Sequence, residues 1–358
     1  MCDPLSIRSY RHQYGVTFVP DYTGTLRAQV RPGDHLIADR QVWELHPGLK
    51  GCVEGFHRIL IDPSERAKSY EALIPIIQQL IETRFTKSNR LIAIGGGIVQ
   101  DIAAFTASIL FRGVDWLFFP TNLLTQCDSC IGSKTSINFG AYKNQLGGFF
   151  PPKAVYIDLA FLSTLPVREM QSGLGEMMHY FLVSGEADFQ WAVARLDRAL
   201  RDRDVLRQMI YRSLAIKKEM IERDEFDQGP RNVFNYGHSF GHALESATQY
   251  TVPHGIAVSF GMDLANVVSS GLGLIPMSLR NQIRPTLATV WNATTLDQVD
   301  CLDFFGALAH DKKNEGKEIK VILTKGIGQM FKTTLVMNSK IIHLIESYFH
   351  ERQYQEDI

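Results

Sequence analysis

The apolar run Arg90 to Ile94 ends directly in Gly95-Gly96-Gly97, and a helical pattern from Val99 to Leu110 follows at once. Few architectures accept that junction. A buried strand that turns on glycines into a helix lays the helix across its own sheet, so the next strand returns parallel to the first. The flanking sequence keeps the same rhythm. Tyr14 to Val19, His35 to Ala38 and His57 to Ile61 read as strands before the glycines, and Trp116 to Phe119 and Ala154 to Ile157 as strands after them. Lys68 to Phe85 reads as an amphipathic helix, with Leu73, Ile76, Ile77, Leu80 and Ile81 on one stripe. The alternation predicts an α/β fold, with a Rossmann-like parallel sheet over residues 1–160.

Over residues 161–358 the character changes. Helical patterns dominate: Val167 to Val183, Val205 to Arg223, Val233 to Ala247 and Ile256 to Ser270. Only Ile319 to Thr324 reads clearly as a strand. A second, mainly α-helical domain is expected there, with the active site in the cleft between the two domains. The glycine turn suits a nucleotide, because it lets backbone N–H groups at a helix N-terminus approach a pyrophosphate. Gly95 and Gly97 fit the first two positions of G-x-G-x-x-G, but Gln100 holds the third, and a tight structural turn would look the same. Asp101 would repel a phosphate, so it is expected to order the loop or to meet a sugar hydroxyl.

Composition closes off other classes. A net charge of −1 gives no bulk attraction to nucleic acid or an anionic membrane. No apolar run reaches the ~18–20 residues of a membrane span. The polar N-terminus lacks the apolar stretch of a secretory signal, so a cytoplasmic enzyme is expected. Five cysteines, an odd number, argue against a disulfide framework. Cys127-x-x-Cys130 is a redox or zinc pair, or two small residues in a tight loop, and no second such pair completes a zinc site.

The stretch Arg231 to His242 is the most informative. At helical spacing Asn235, His238 and His242 share one face, and Gly237 and Gly241 weaken a helix interior by ~1 kcal/mol each relative to Ala. That cost suggests something packed closely against the face. His254 follows where the next helix begins, and Glu176 sits among small and apolar residues in Gly173-Leu-Gly-Glu176-Met-Met-His179. One glutamate and two histidines from three helices make an open metal site. Spacing alone leaves open which two of His238, His242 and His254 take part.

Together these segments resemble the sugar phosphate cyclase family, of which the 3-dehydroquinate synthases are the best-known members. The likeness is carried by Asp62-Pro-Ser-Glu65-Arg-Ala-Lys68, Gly95 to Asp101, Phe111-Arg112-Gly113, Pro120-Thr121-Asn122, Asp128 to Lys134, Lys143-Asn144, Thr164-Leu165-Pro166, Glu176, Arg231 to His242, His254-Gly255 and Asp311-Lys312-Lys313-Asn314, in that order. The resemblance implies NAD against Asp62, Glu65, Lys68, Gly95, Gly96, Gly97, Asp101, Thr121, Asn122, Lys134, Lys143 and Thr164. It implies a divalent metal, zinc or cobalt, on Glu176, His238 and His254. Phosphate would be received by Lys134, Asn144, Asn235, His242 and the Lys312/Lys313 pair, and a substrate carboxylate by Lys217 and Arg231. Asp128 would bind hydroxyls, and Arg112 would reach a phosphate in the partner of a homodimer.

The implied reaction is cyclisation of a phosphorylated seven-carbon keto sugar acid with loss of phosphate. Several positions depart from the pattern. The dehydroquinate synthases usually have Thr at Asn122 and Gly at Gln100 and Ser133, and carry Lys where this chain has His179. His179 either touches metal or substrate or replaces a hydrogen-bonding Lys. Asn138 to Lys143 is similar to the secondary-metabolism cyclases, so valiolone-, inosose- and amino-dehydroquinate-type products stay open. A metal-dependent polyol dehydrogenase would not need the basic cluster.

Overall fold

The computed structural model describes residues 3–140, 142–291, 294, 296, 299–309 and 318–353. Lys312 and Lys313 lie outside the described residues. The chain divides into two compact units. One comprises Met1–Pro166 with Ile210–Phe226, the other Val167–Met209 with Asp227–Ile358.

The first unit is built on a seven-stranded sheet. Its strands are β1 (Leu5–Arg8), β2 (Gln13–Phe18), β3 (His35–Asp39), β4 (His57–Ile61), β5 (Leu91–Gly95), β6 (Trp116–Pro120) and, beyond a hairpin of β7 (Lys134–Phe139) and β8 (Tyr142–Phe149), β9 (Ala154–Ile157). The order is β1-β2-β9-β6-β5-β3-β4, and every pairing is parallel except β1 with β2. Helices α1 (Tyr22–Gln29), α2 (Arg40–Leu45), α3 (Gly48–Cys52), α4 (Tyr70–Glu82) and α5 (Gly97–Ile109) connect them. Strand residues two apart share a face, so Leu36 and Ala38, Ile92 and Ile94, and Leu117 and Phe119 line one buried core together with Leu26 and Trp43. From β3 the chain steps outward to β4, then jumps back to β5 and builds the sheet the other way. That reversal puts the carboxyl ends of β3 and β5 at a topological switch point, where such sheets bind ligands.

The expected α4 begins only at Tyr70, where the Ser69 hydroxyl caps it by accepting from Ala72 N. Leu73, Ile76 and Leu80 are buried, but Ile81 is 58% exposed, because it falls at the edge of the apolar stripe.

The second unit is mainly helical. It contains α6 (Val167–Ser184), α7 (Glu186–Ala199), the start of α8 (Arg203–Ile221), α9 (His238–Ala247), α10 (His254–Gly271), α11 (Met277–Trp291), α12 (Cys301–Ala309), the antiparallel pair β10 (Glu318–Thr324) and β11 (Met330–Val336), and α13 (Ser339–Gln353). The single helix expected over Val233 to Ala247 is instead a 3-10 turn, Pro230–Asn235, followed by α9. Gly237 between them has φ +82, a left-handed conformation that ends one helix and caps the next. Asn235 is therefore not on the α9 face that carries His238 and His242. Among the described residues no helix is long and apolar enough to cross a membrane.

Candidate functional site

The glycine turn lies at the switch point. A Cβ on Gly95 would meet Val99 at 2.6 Å, and one on Gly96 would meet the Asn122 amide at 2.6 Å, whereas one on Gly97 would meet nothing within 4 Å. The first two glycines are thus demanded by packing, and the third leaves the backbone open. The first i to i−4 bond of α5 is Gln100 N to Gly96 O, so the N–H groups of Gly97, Ile98 and Val99 precede the helical ladder and suit an anion. Thr121 N donates to Gly95 O at 3.1 Å and holds the end of β5 against β6.

Asp101 orders the neighbouring hairpin. Its carboxylate accepts from Ser136 N at 3.0 Å and pairs with Lys68 Nζ at 2.7 Å. Burial pushes its pKa up, against the downward pull of Lys68 and the Ser136 N–H. Glu65 accepts from Asn138 Nδ2 at 2.7 Å and stands 3.6 Å from Lys143 Nζ. Asn138 Oδ1 accepts from Asn144 N, and Asn144 Oδ1 from Ser136 Oγ. Five residues expected at cofactor or phosphate thus meet on one hairpin. Lys134 is exposed at its start. Asp62 pairs with Arg40 at the surface, and Thr164 Oγ1 meets His46 Nε2 at 2.9 Å. Arg112 is exposed in a turn where Phe111, Arg112 and Gly113 have φ +50, +62 and +111.

Asp128 lies in a π-helical turn, Thr125–Ser129, whose start is held by Asn122 Oδ1 accepting from Thr125 N. Three consecutive carbonyls of this turn accept from side chains of two helices. Cys127 O takes Ser213 Oγ at 2.9 Å, Asp128 O takes Lys217 Nζ at 2.8 Å, and Ser129 O takes Gln100 Nε2 at 2.6 Å. Ser129 Oγ donates back to Gln100 Oε1 at 2.6 Å. Gln100, a departure from the family pattern, therefore braces the turn.

Lys217 Nζ also pairs with Asp128 Oδ1 at 2.6 Å. The burial of the Lys217 charge is thus offset by Asp128. Ser133, where glycine is usual, has φ +64, and its hydroxyl donates to Glu225 Oε1 at 2.5 Å. Cys127 and Cys130 are buried free thiols, and burial pushes Cys130 up to about 12, so the pair is the tight-loop case.

The second unit gathers the metal-type donors, and glycines bring them together. Each donor adjoins a glycine at a helix crossing: Gly175 precedes Glu176, Gly237 precedes His238, and Gly255 follows His254. A Cβ on Gly175 would collide with Gly255 O, and one on Gly255 with Ser172 O, so α6 and α10 touch backbone to backbone. A Cβ on Gly241 would meet Val258 Cα at 2.9 Å, so α9 lies equally close to α10. The close packing expected against Gly237 and Gly241 is α10 itself.

Glu176 is buried, and its Oε2 has no hydrogen-bond partner. His238 Nε2 lies 3.5 Å from Glu176 Oε1, and His254 Nε2 lies 3.6 Å from Oε2. These spacings are long for hydrogen bonds and fit donors that share a cation. The ligand atoms of the three residues lie within 4.8 Å of one another. His238 Nδ1 faces Tyr236 O at 3.3 Å, and a carbonyl only accepts, so that nitrogen carries the proton. His254 Nδ1 faces Glu245 Oε2 at 3.0 Å. Both rings thereby turn an Nε2 lone pair toward Glu176, the outer-shell arrangement of histidine metal ligands. Burial opposes ionisation of Glu176, but His238, His254 and His179 outweigh it and hold the carboxyl below its usual range. The donor set and the orphaned oxygen fit a zinc- or cobalt-type ion.

His179 is fully buried, with Nδ1 3.6 Å from Glu176 Oε1 and its ring against Tyr180, Phe234 and His238. It stands beside the carboxylate but outside the donor trio. Arg231 is buried in the 3-10 turn, Asn235 Nδ2 holds that turn through Asn232 O, and His242 is exposed one helical turn beyond His238. Sequence reasoning missed Glu245, although His238, His242 and Glu245 recur at i, i+4 and i+7.

Comparison with known proteins settles the family. The N-terminal domain profile of 3-dehydroquinate synthase matches residues 58–172, and the C-terminal profile matches residues 173–314. A 3-dehydroquinate synthase from Sulfurovum sp. (strain NBC37-1) is 40% identical over 273 residues, covering 75% of this chain and 77% of its own. The chain belongs to the 3-dehydroquinate synthase family. Its fold is that of the sugar phosphate cyclases. A 2-deoxy-scyllo-inosose synthase solved with carbaglucose-6-phosphate, NAD+ and Co2+ superposes with a TM-score of 0.83 at 21% identity, over 96% of this chain and 100% of that one. The 2-epi-5-epi-valiolone synthase of Streptomyces hygroscopicus subsp. jinggangensis 5008, solved with NAD+ and Zn2+, gives 0.81 at 23%, over 98% and 99%. Gln100, Asn122 and Ser133, expected to depart from the family pattern, each have a hydrogen-bond partner in place.

Proposed function

We propose that this protein is an NAD- and divalent-metal-dependent sugar phosphate cyclase. It converts a phosphorylated seven-carbon keto sugar acid to a carbocycle with loss of phosphate, as a carbon–oxygen lyase working as a homodimer. The observation that carries the reading is the Glu176, His238 and His254 centre in a chain of this family. Glu176, His238 and His254 would hold a divalent ion, whose charge would make a substrate hydroxyl more acidic, and bound NAD would supply reversible hydride uptake.

The chain's own residues bind, orient and exclude water. The open backbone at Gly97 takes the pyrophosphate, and the Glu65, Lys68, Asp101 and Lys143 hairpin frames the cofactor. Asp128, paired with Lys217, accepts from a substrate hydroxyl. Asn235 and His242 receive phosphate, Arg231 receives the carboxylate, and exposed Arg112 serves the partner subunit. Orthophosphate release is the test, with metal, a trace of NAD and the seven-carbon acid phosphate as substrate. Turnover is expected, and no release from the acid or from any neutral sugar phosphate contradicts the reading.

The Asp128–Lys217 pair favours a second reading. With Lys217 already compensated, a neutral seven-carbon or six-carbon sugar phosphate needs no second anion site. Faster turnover of a neutral sugar phosphate than of the acid would select a valiolone- or inosose-type cyclase.

A further inference from the structure

We propose that His242, Glu245 and His254 form a second, outer cation site, which shares His254 with the inner Glu176, His238 and His254 centre and through which a divalent metal ion enters. The inference rests on the metal-centre reading proposed above. Among the described residues, two groups of donors have ligand atoms within 4.8 Å of one another, and these are the two. They are adjacent because α9 presents His238, His242 and Glu245 on one face, and His254 opens α10 opposite them.

The two nitrogens of His254 look different ways. Nε2 lies 3.6 Å from Glu176 Oε2, and Nδ1 lies 3.0 Å from Glu245 Oε2. The His242 ring stacks on the His254 ring at 5.5 Å and 26°, and its ligand atom lies within 4.8 Å of one on Glu245 and one on His254. Side-chain exposure rises outward, from 3% at Glu176 and 13% at His238 to 31% at His254, and His242 is exposed. An ion arriving from solvent therefore meets the outer trio first.

Two imidazoles and a carboxylate are a donor set that zinc or cobalt accepts, with positions left for water. A neutral imidazole has one lone pair and one N–H. An ion in the outer site takes Nδ1 and leaves the proton on Nε2. When the ion occupies the inner site it takes Nε2, and the proton returns to Nδ1 against Glu245. The ring carries one proton in both states, so the sites are filled in turn and not together.

The test is Co2+ titration of the metal-stripped full chain, followed by equilibrium dialysis and visible absorption. The wild type should bind one equivalent. The double variant Glu176→Gln with His238→Ala keeps the outer trio and should still bind one equivalent, roughly tenfold to a hundredfold more weakly. Adding His242→Ala should abolish that residual binding. In the otherwise intact chain, His242→Ala changes an exposed side chain, so the fold is retained. That variant should reach the same one equivalent but take up Co2+ about tenfold more slowly.

No binding by the double variant, or uptake by His242→Ala at the wild-type rate, overturns the outer site. A wild type that binds no Co2+ at all fails the metal-centre reading instead, and the proposal with it.

Discussion

At the scale of residues, a buried carboxylate needs compensating charge, and a cation held by Glu176 and the Nε2 atoms of His238 and His254 would supply it. Replacing His254 by Ala should therefore abolish tight metal binding while far-UV circular dichroism stays helical. Full occupancy by elemental analysis would contradict the assignment. Glu245→Gln should weaken metal affinity about 10–100-fold, because the amide holds the His254 ring less firmly. The donor types were legible in the sequence, since glycine-flanked His238, His254 and Glu176 stand out from their surroundings. Their outer partners were not, because Glu245 looks like any charge on a helix surface. Nor was the Asp128–Lys217 pair, which joins residues far apart in the chain. Lys217→Met should cost ~3–5 kcal/mol, as expected when one partner of a buried pair is removed. Urea unfolding measures it, and a change under 1 kcal/mol would show that Lys217 is not compensating Asp128.

Among the elements, the crossings of α6, α9 and α10 set the metal geometry. Gly255→Ala places a methyl group against the Ser172 carbonyl. It should destabilise the protein by ~1–3 kcal/mol through overpacking and lower metal affinity as α6 and α10 part. Denaturant titration and metal dissociation, measured on the same variant, check both effects, and wild-type affinity would show that the crossing does not position Glu176. The helices α4, α5, α6, α8 and α10 and most sheet strands were legible, because their apolar periods are long or their residues are mostly apolar, whereas α1, α2, α3, α7, α11, α12 and α13 went unread. The break at Gly237 was not legible, since the apolar period runs through it and only the left-handed backbone marks the stop. The β7–β8 hairpin was missed for another reason: β8 buries none of its residues, so its sequence carries no strand alternation.

For the whole molecule, the sequence changes character near residue 160, whereas the first compact unit runs to Pro166 and takes in a later segment. The return of Ile210–Phe226 to the first unit was not legible, because α8 reads as one uninterrupted amphipathic pattern. That segment supplies Ser213 and Lys217 to the Asp128 turn. Stability should also depend on pH. Burial lowers the pKa of His35, and His57 adds to the effect; burial lowers that of His46 as well. In the folded chain both rings take up protons only at lower pH than the ~6.5 of the unfolded chain. The unfolded state then binds more protons, so stability falls as pH drops below that value. Urea midpoints between pH 7.5 and 5 should decline, and His35→Phe should flatten the decline; an equal slope in that variant would contradict the assignment. The central claim is that hydride is taken and returned within one turnover. The measurement that tests it most directly follows orthophosphate and the absorbance of NADH together, with metal, a sugar phosphate substrate and NAD well below the substrate concentration. Many equivalents of orthophosphate per NAD, with no net NADH, is the predicted result. NADH rising in step with substrate consumed, and no phosphate released, would contradict it and make the protein a dehydrogenase.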